Sequence, residues 1–94
     1  MGFFDKLKQL QELQQKMEES RKRLEALEVE SVNEYVKIVA TGDRKIKRVE
    51  ILKTDDVAAL QHQLTAALND VLAKADSAMQ QEMKGYLPNL PGLG

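Results

Sequence analysis

The feature that most constrains this chain is a seven-residue recurrence at its start. Phe3, Leu10, Met17 and Leu24 stand at equal spacing, and Leu13 and Leu27 fill the companion position three residues on. That is the a/d spacing of a coiled coil, and a strand, whose side chains repeat every second residue, cannot satisfy it. Lys6 and Ser20 interrupt the d row. Acid-first pairs at i,i+4 (Glu12–Lys16, Glu18–Lys22, Glu19–Arg23) lace the outer face, each supporting a helix by about 0.2–0.5 kcal/mol. Neither Gly nor Pro falls within 3–28. The spacing therefore predicts one long helix over 3–28, able to project into water without tertiary support along its whole length.

The period then changes to two. Val36, Ile38 and Ala40 share one face of a strand within Tyr35–Thr41, Gly42-Asp43 supplies a turn, and 47–51 alternates again with Val49 and Ile51 inward. Val29 to Val32 reads as a shorter strand before Asn33-Glu34, so the strands occupy about 29–52. Two or three antiparallel strands with one apolar face are not stable in water until that face is covered. The cover is a helix over 55–84, whose apolar positions from Val57 and Leu60 through Val71 to Met83 sweep a stripe at 3.6 spacing. Thr54 or Asp55 offers its N-cap oxygen, and Asp55-Asp56 place negative charge at its positive end. Gly85 is placed to end it, and 86–94, with two Pro and no periodicity, reads as a mobile tail. The expected fold is α+β: a long N-terminal helix, a small antiparallel sheet of about three strands and a long C-terminal helix, in a single domain over 1–85.

A chain of 94 residues with two Phe, two Tyr and no Trp has a thin core, and a domain this small buries only roughly 60–70 % of its unfolded surface. With no cysteine to staple it, and with a helical stripe wider than three strands need, a second copy is expected to complete it. The expected interface lies on the sheet and second helix, at Val36, Ile38, Leu64, Leu68, Val71 and Leu72. Zero cysteines also exclude a disulfide scaffold, a thiol nucleophile and a Cys-based zinc site. The longest apolar run, Val57 to Leu60, is four residues, far short of the ~20 that span a bilayer, so the chain reads as soluble and intracellular with no membrane partner. His62 has Ala58, Ala59, Thr65 and Ala66 at helical neighbour positions, none of them a carboxylate or metal ligand. There is no Gly-rich phosphate loop, serine elbow or His-Glu ligand pair. The expectation is a protein without catalytic residues, metal, cofactor or small-molecule substrate.

Charge is abundant and almost balanced, 14 Lys+Arg against 15 Asp+Glu, but it is unevenly placed. Residues 29–53 carry six basic against four acidic groups, with Arg44, Lys45, Lys47, Arg48 and Lys53 along one hairpin arm, whereas 54–94 carry two against five. That hairpin reads equally as an edge strand guarded by cations and as a patch that contacts phosphates. Lys8, Lys16, Arg21, Lys22 and Arg23 on the first helix read as a solvated face or as a second such patch. Composition alone leaves both open, together with a coiled-coil interaction protein and a DNA-repair accessory subunit that never touch DNA themselves.

The order of short motifs narrows this. A K-Q-x-Q…K-M helix (Lys8 to Met17) ends in Leu27-Glu28-Val29 and leads into Val36-Lys37-Ile38, Thr41-Gly42 and Arg48-Val49-Glu50-Ile51. A helix with Ala66-Ala67-Leu68-Asn69-Asp70 follows, closed by Glu82-Met83 and a Pro/Gly tail. Over nearly the whole chain this resembles the YbaB/EbfC family of bacterial nucleoid-associated DNA-binding proteins. The resemblance implies a tweezer-like homodimer with the N-terminal helices as projecting arms, duplex DNA as partner, no cofactor, and a place in the cytoplasm at the nucleoid. Lys8 and Lys16 fall where relatives tend to have lysine; Arg21, Lys22 and Arg23 fall where relatives often have Gln and Glu. Glu30-Ser31-Val32-Asn33-Glu34 stands where the family usually carries a glycine-rich stretch.

Overall fold

The computed structural model describes residues 2–84. Helix α1 (Phe3–Ala26) is followed by strands β1 (Glu28–Val32), β2 (Val36–Thr41) and β3 (Ile46–Ile51) and by helix α2 (Val57–Lys84). The strands form an antiparallel meander in the order β1-β2-β3, giving the α+β order that the periodicity predicts. Gly85 and the tail 86–94 lie outside the described residues.

The element ends are set by local chemistry. Helix α1 stops two residues earlier than expected, because Leu27 turns extended (ψ 129°) while its N–H still donates to the Arg23 carbonyl at 3.0 Å. Glu28, not Val29, then opens β1. Helix α2 starts two residues later than expected, and its cap is neither Thr54 nor Asp55. Asp56 Oδ1 accepts the Ala59 N–H at 3.0 Å, and the Asp56 carbonyl accepts that of Leu60. Between β1 and β2 a single asparagine does the work of a longer turn. Asn33 Oδ1 accepts the N–H groups of Tyr35 and Val36, both at 3.0 Å, while its Nδ2 donates to the Gln63 carbonyl of α2. The next turn closes with the Thr41 N–H on the Lys45 carbonyl and puts Arg44 in the left-handed region (φ 69°).

The core lies where α2 crosses the sheet. Val36, Ile38 and Ala40 of β2 meet Ala67 and Val71 of α2, all of them buried, and Leu60, Leu64, Leu68 and Leu72 pack around them half-buried. On the other face Val39 is buried, with Glu30 and Arg48 as its cross-strand neighbours. Helix α2 packs on β1 and β2, and β3 lies beyond this main contact. Val49 and Ile51 do share the core face, opposite Ile38 and Val36, but they are not inside: Ile46, Val49 and Ile51 remain 42, 45 and 48 % exposed. The subunit measures 68 × 26 × 14 Å with a radius of gyration of 18.8 Å, against about 12 Å for a compact domain of this length. Helix α1, about 36 Å long at 1.5 Å per residue, accounts for much of the difference.

Candidate nucleic-acid interface

The arm is held only at its base. Ser20 and Leu24 are the buried residues of α1. Arg23 Nε donates to Glu82 of α2 at 2.8 Å, and Arg23, helped by the Ser20 hydroxyl, holds the Glu82 carboxyl below the usual carboxylate range. The Gly42 N–H donates to the carbonyls of Leu24 (2.9 Å) and Leu27 (3.0 Å). A Cβ on Gly42 would stand 3.0 Å from both Leu24 Cδ2 and the Leu24 carbonyl oxygen, so the hairpin turn touches the end of α1 backbone to backbone. Above this base α1 is exposed along its length, up to an edge-to-face pair of rings, Phe3 and Phe4, at the tip.

The five arm cations expected to meet DNA do not share one environment. Lys8 and Lys22 lie fourteen residues apart, in line with Gln15 on the f row of the heptad, the row farthest from the a/d seam. Both are exposed, and neither makes an ion pair with a described residue, although Lys22 feels the charge of Glu18. Lys16 is exposed on the neighbouring row. Arg21 is forked between Glu18 (Nε to Oε2, 3.2 Å) and Glu25, and its hydrogen bond lowers the Glu18 carboxyl. Arg23 is engaged with Glu82.

The hairpin cations are arranged differently, each beside an acid. Arg44 reaches Asp76 of α2 at 2.9 Å, Lys45 lies 3.7 Å from Asp43, Lys47 pairs with Glu28, and Arg48 donates to Glu50 at 2.9 Å. Lys53 is paired with Glu34 and lies 5.5 Å over the Tyr35 ring. The run that looks most basic in the sequence is thus interleaved with carboxylates in space. Proximity in the chain gave no sign of this for Arg44 and Lys47, whose partners are 32 and 19 residues away.

The six positions expected to meet a second copy also divide. Val36, Ile38 and Val71 are fully enclosed in the subunit's own core, whereas Leu64, Leu68 and Leu72 keep part of their surface. The apolar surface left open on the sheet is instead Ile46, Val49 and Ile51, with Leu52 beside them. His62 is exposed. Among the described residues no His, Asp and Glu group is placed to hold a metal ion, and no helix is long and apolar enough to cross a membrane.

The profile of the YbaB/EbfC DNA-binding family matches residues 1–90. The chain is similar to a nucleoid-associated protein of Ruminiclostridium cellulolyticum, 38 % identical over 96 residues that cover 93 % of this chain and 84 % of the relative. A nucleoid-associated protein of Rhodopseudomonas palustris is 36 % identical over 101 residues, covering 98 % and 96 % of the two chains. One from Streptococcus suis is 31 % identical over 97 residues, covering 97 % and 98 %.

Proposed function

Since the chain belongs to the YbaB/EbfC DNA-binding family, we propose that it binds duplex DNA at the nucleoid as a homodimer, through phosphate contacts along the outer face of α1, and so affects chromosome organisation and gene expression. The observation that carries this reading is the contrast between the two basic regions. Lys8 and Lys22 present charge on one exposed row without an ion pair among the described residues, while Arg44, Lys45, Lys47 and Arg48 each have a carboxylate beside them. Lys16 adds to the arm, and Arg21 and Arg23 contribute less because acids engage them. The dimer is supported by the open row Ile46, Val49 and Ile51 on β3, which a second copy of the same row covers across a two-fold axis. The role is one of binding, with no chemical step.

Base reading requires Arg, Asn or Gln held rigidly in the major groove. The arm offers exposed Gln9, Gln11, Gln14 and Gln15 on an unsupported helix, which favours contacts to phosphate and at most weak sequence preference. About three to six phosphates neutralised per dimer give a slope of log affinity on log salt of roughly −0.9 for each. The test is a duplex titration at several salt concentrations for the wild type, a Lys8→Glu, Lys22→Glu variant and a Lys45→Glu, Arg48→Glu variant. The arm variant should bind at least tenfold more weakly with a shallower slope, and the hairpin variant should change far less. The reverse ranking would move the contact to the hairpin. A preference beyond about a hundredfold between unrelated duplexes, the scale of one good bidentate base contact, would refute phosphate-led binding.

A further inference from the structure

The a/d row of α1 lies in two states. At its base, Ser20 and Leu24 are buried against the subunit; farther out, Phe3, Leu7, Leu10, Leu13 and Met17 are 39–74 % exposed. The open part is therefore the continuation of a row that already packs on another helix, α2, through Leu24 and its neighbours. Its spacing says what kind of surface fits it. A row that advances by sevens winds slowly around its helix and stays in contact with a second helix that winds with it; a flat lipid surface matches a straight 3.6 stripe instead. Every copy of the chain carries this row, so a second copy supplies the matching helix.

Charge then fixes the polarity. In a parallel pair, Lys6 would face Lys6 of the second copy in a d layer, and Lys16 would flank its Arg21. In an antiparallel pair with Leu10 against Leu13 of the second copy, Lys6 falls beside Met17 instead, where its stem packs on the thioether and its ammonium reaches water. Both like-charge contacts disappear. We infer that α1 pairs antiparallel, seam to seam, with α1 of a second copy, at a surface separate from the β3 row. Lys8, Gln15 and Lys22 stand on the opposite side of the helix, so this pairing leaves the proposed DNA face open. Two self-association surfaces on one chain link dimers into larger assemblies, and arms joined in this way tie together separate DNA segments. The arm pairing itself does not require DNA binding, whereas its growth beyond a dimer rests on the β3 association of the proposed function.

The chain has no cysteine among its described residues and none in its sequence, so introduced cysteines report cleanly. Lys6→Cys chains mixed with Met17→Cys chains should cross-link on oxidation well above a Gln15→Cys control, and Phe3→Cys alone should not. Sedimentation of the wild type without DNA should show mass rising beyond the dimer across the micromolar to millimolar range. Leu10→Glu should abolish that rise and the Lys6–Met17 cross-link while keeping helicity and short-duplex affinity. A wild-type mass that stays constant, a cross-link no stronger than the control, or efficient Phe3→Cys self-linking would each overturn the inference. So would Leu10-dependent binding to phosphatidylglycerol vesicles in place of self-association. Loss of DNA binding by the arm-cation variant bears on the proposed function alone, so the two readings fail separately.

Discussion

At the scale of single residues, the positions that matter most for placing the arm are not the charged ones. Gly42 is where the hairpin turn meets the carbonyl end of α1, and its requirement is space, not an unusual backbone angle. The Leu24 carbonyl oxygen, 3.0 Å from where a Cβ would stand, is also the acceptor of the Gly42 N–H, so it cannot retreat without losing that hydrogen bond. Gly42→Ala should accordingly destabilise the fold by about 1–3 kcal/mol, the usual cost of overpacking. Urea unfolding followed by circular dichroism measures it, and an unchanged midpoint would show that α1 shifts freely on the turn. The sequence marks Gly42-Asp43 as a turn but not this contact, because nothing in a linear pattern brings residue 24 to residue 42. Nor does it mark Arg44, a non-glycine residue in the left-handed region, a conformation costing roughly 1–2 kcal/mol; its salt bridge to Asp76 offsets part of that cost.

At the scale of elements, helix and strand periods read through cleanly where a single rule governs, and blur where two elements meet. The heptad predicts α1, and the alternation predicts β2 with its inward Val36, Ile38 and Ala40. Ile46 escapes the alternation for a specific reason. It stands three residues before Val49, so strict alternation puts it on the opposite face, but an irregularity in the β2–β3 register between Val39 and Ala40 brings it opposite Ala40 and into the same row. The attachment of α1 to α2 was equally invisible, since it depends on Arg23 finding Glu82 across 59 residues. That attachment should respond to acid. The Glu82 carboxyl is lowered in the fold by Arg23 and then Ser20, so its contribution is present above the ordinary carboxylate value of about 4.3 and is lost as pH falls through the lower folded value. Amide exchange at Leu24–Leu27 and Gly42, corrected for intrinsic chemistry, should therefore speed up on acidification before the sheet amides do. Glu82→Gln should show the loosened base already at neutral pH and flatten this response. Equal protection in variant and wild type would mean that the arm is held by Leu24 and Gly42 alone.

At the scale of the whole molecule, the subunit is flat, 14 Å in its thinnest dimension, because one helix lies on a three-stranded sheet and covers only part of it. The two faces of β3 differ in chemistry. On the outer face of the same strand, Arg48 and Glu50 are charged and paired, whereas Ile46, Val49 and Ile51 present aliphatic side chains on the core face. If a second copy covers that row, an acid placed in it destroys association without disturbing the subunit, because Val49 is already 45 % exposed when the chain is alone. Val49→Asp, made together with Leu10→Glu to remove pairing through the arms, should therefore remain helical and cooperatively folded yet sediment as a monomer. An unpaired charge trapped in an apolar interface costs about 3 kcal/mol, enough to raise the dimer dissociation constant more than a hundredfold. Val71→Asp is the necessary contrast: fully buried in the subunit core, it should unfold the chain outright. DNA affinity should drop for Val49→Asp as well, since a monomer brings one arm to the duplex where a dimer brings two, and the loss should shrink when monomer concentration is raised if residual pairing restores the second arm. A doubly substituted protein that keeps the dimer mass would place the interface elsewhere, with the half-buried flanks of Leu64, Leu68 and Leu72 on α2 as the next candidate.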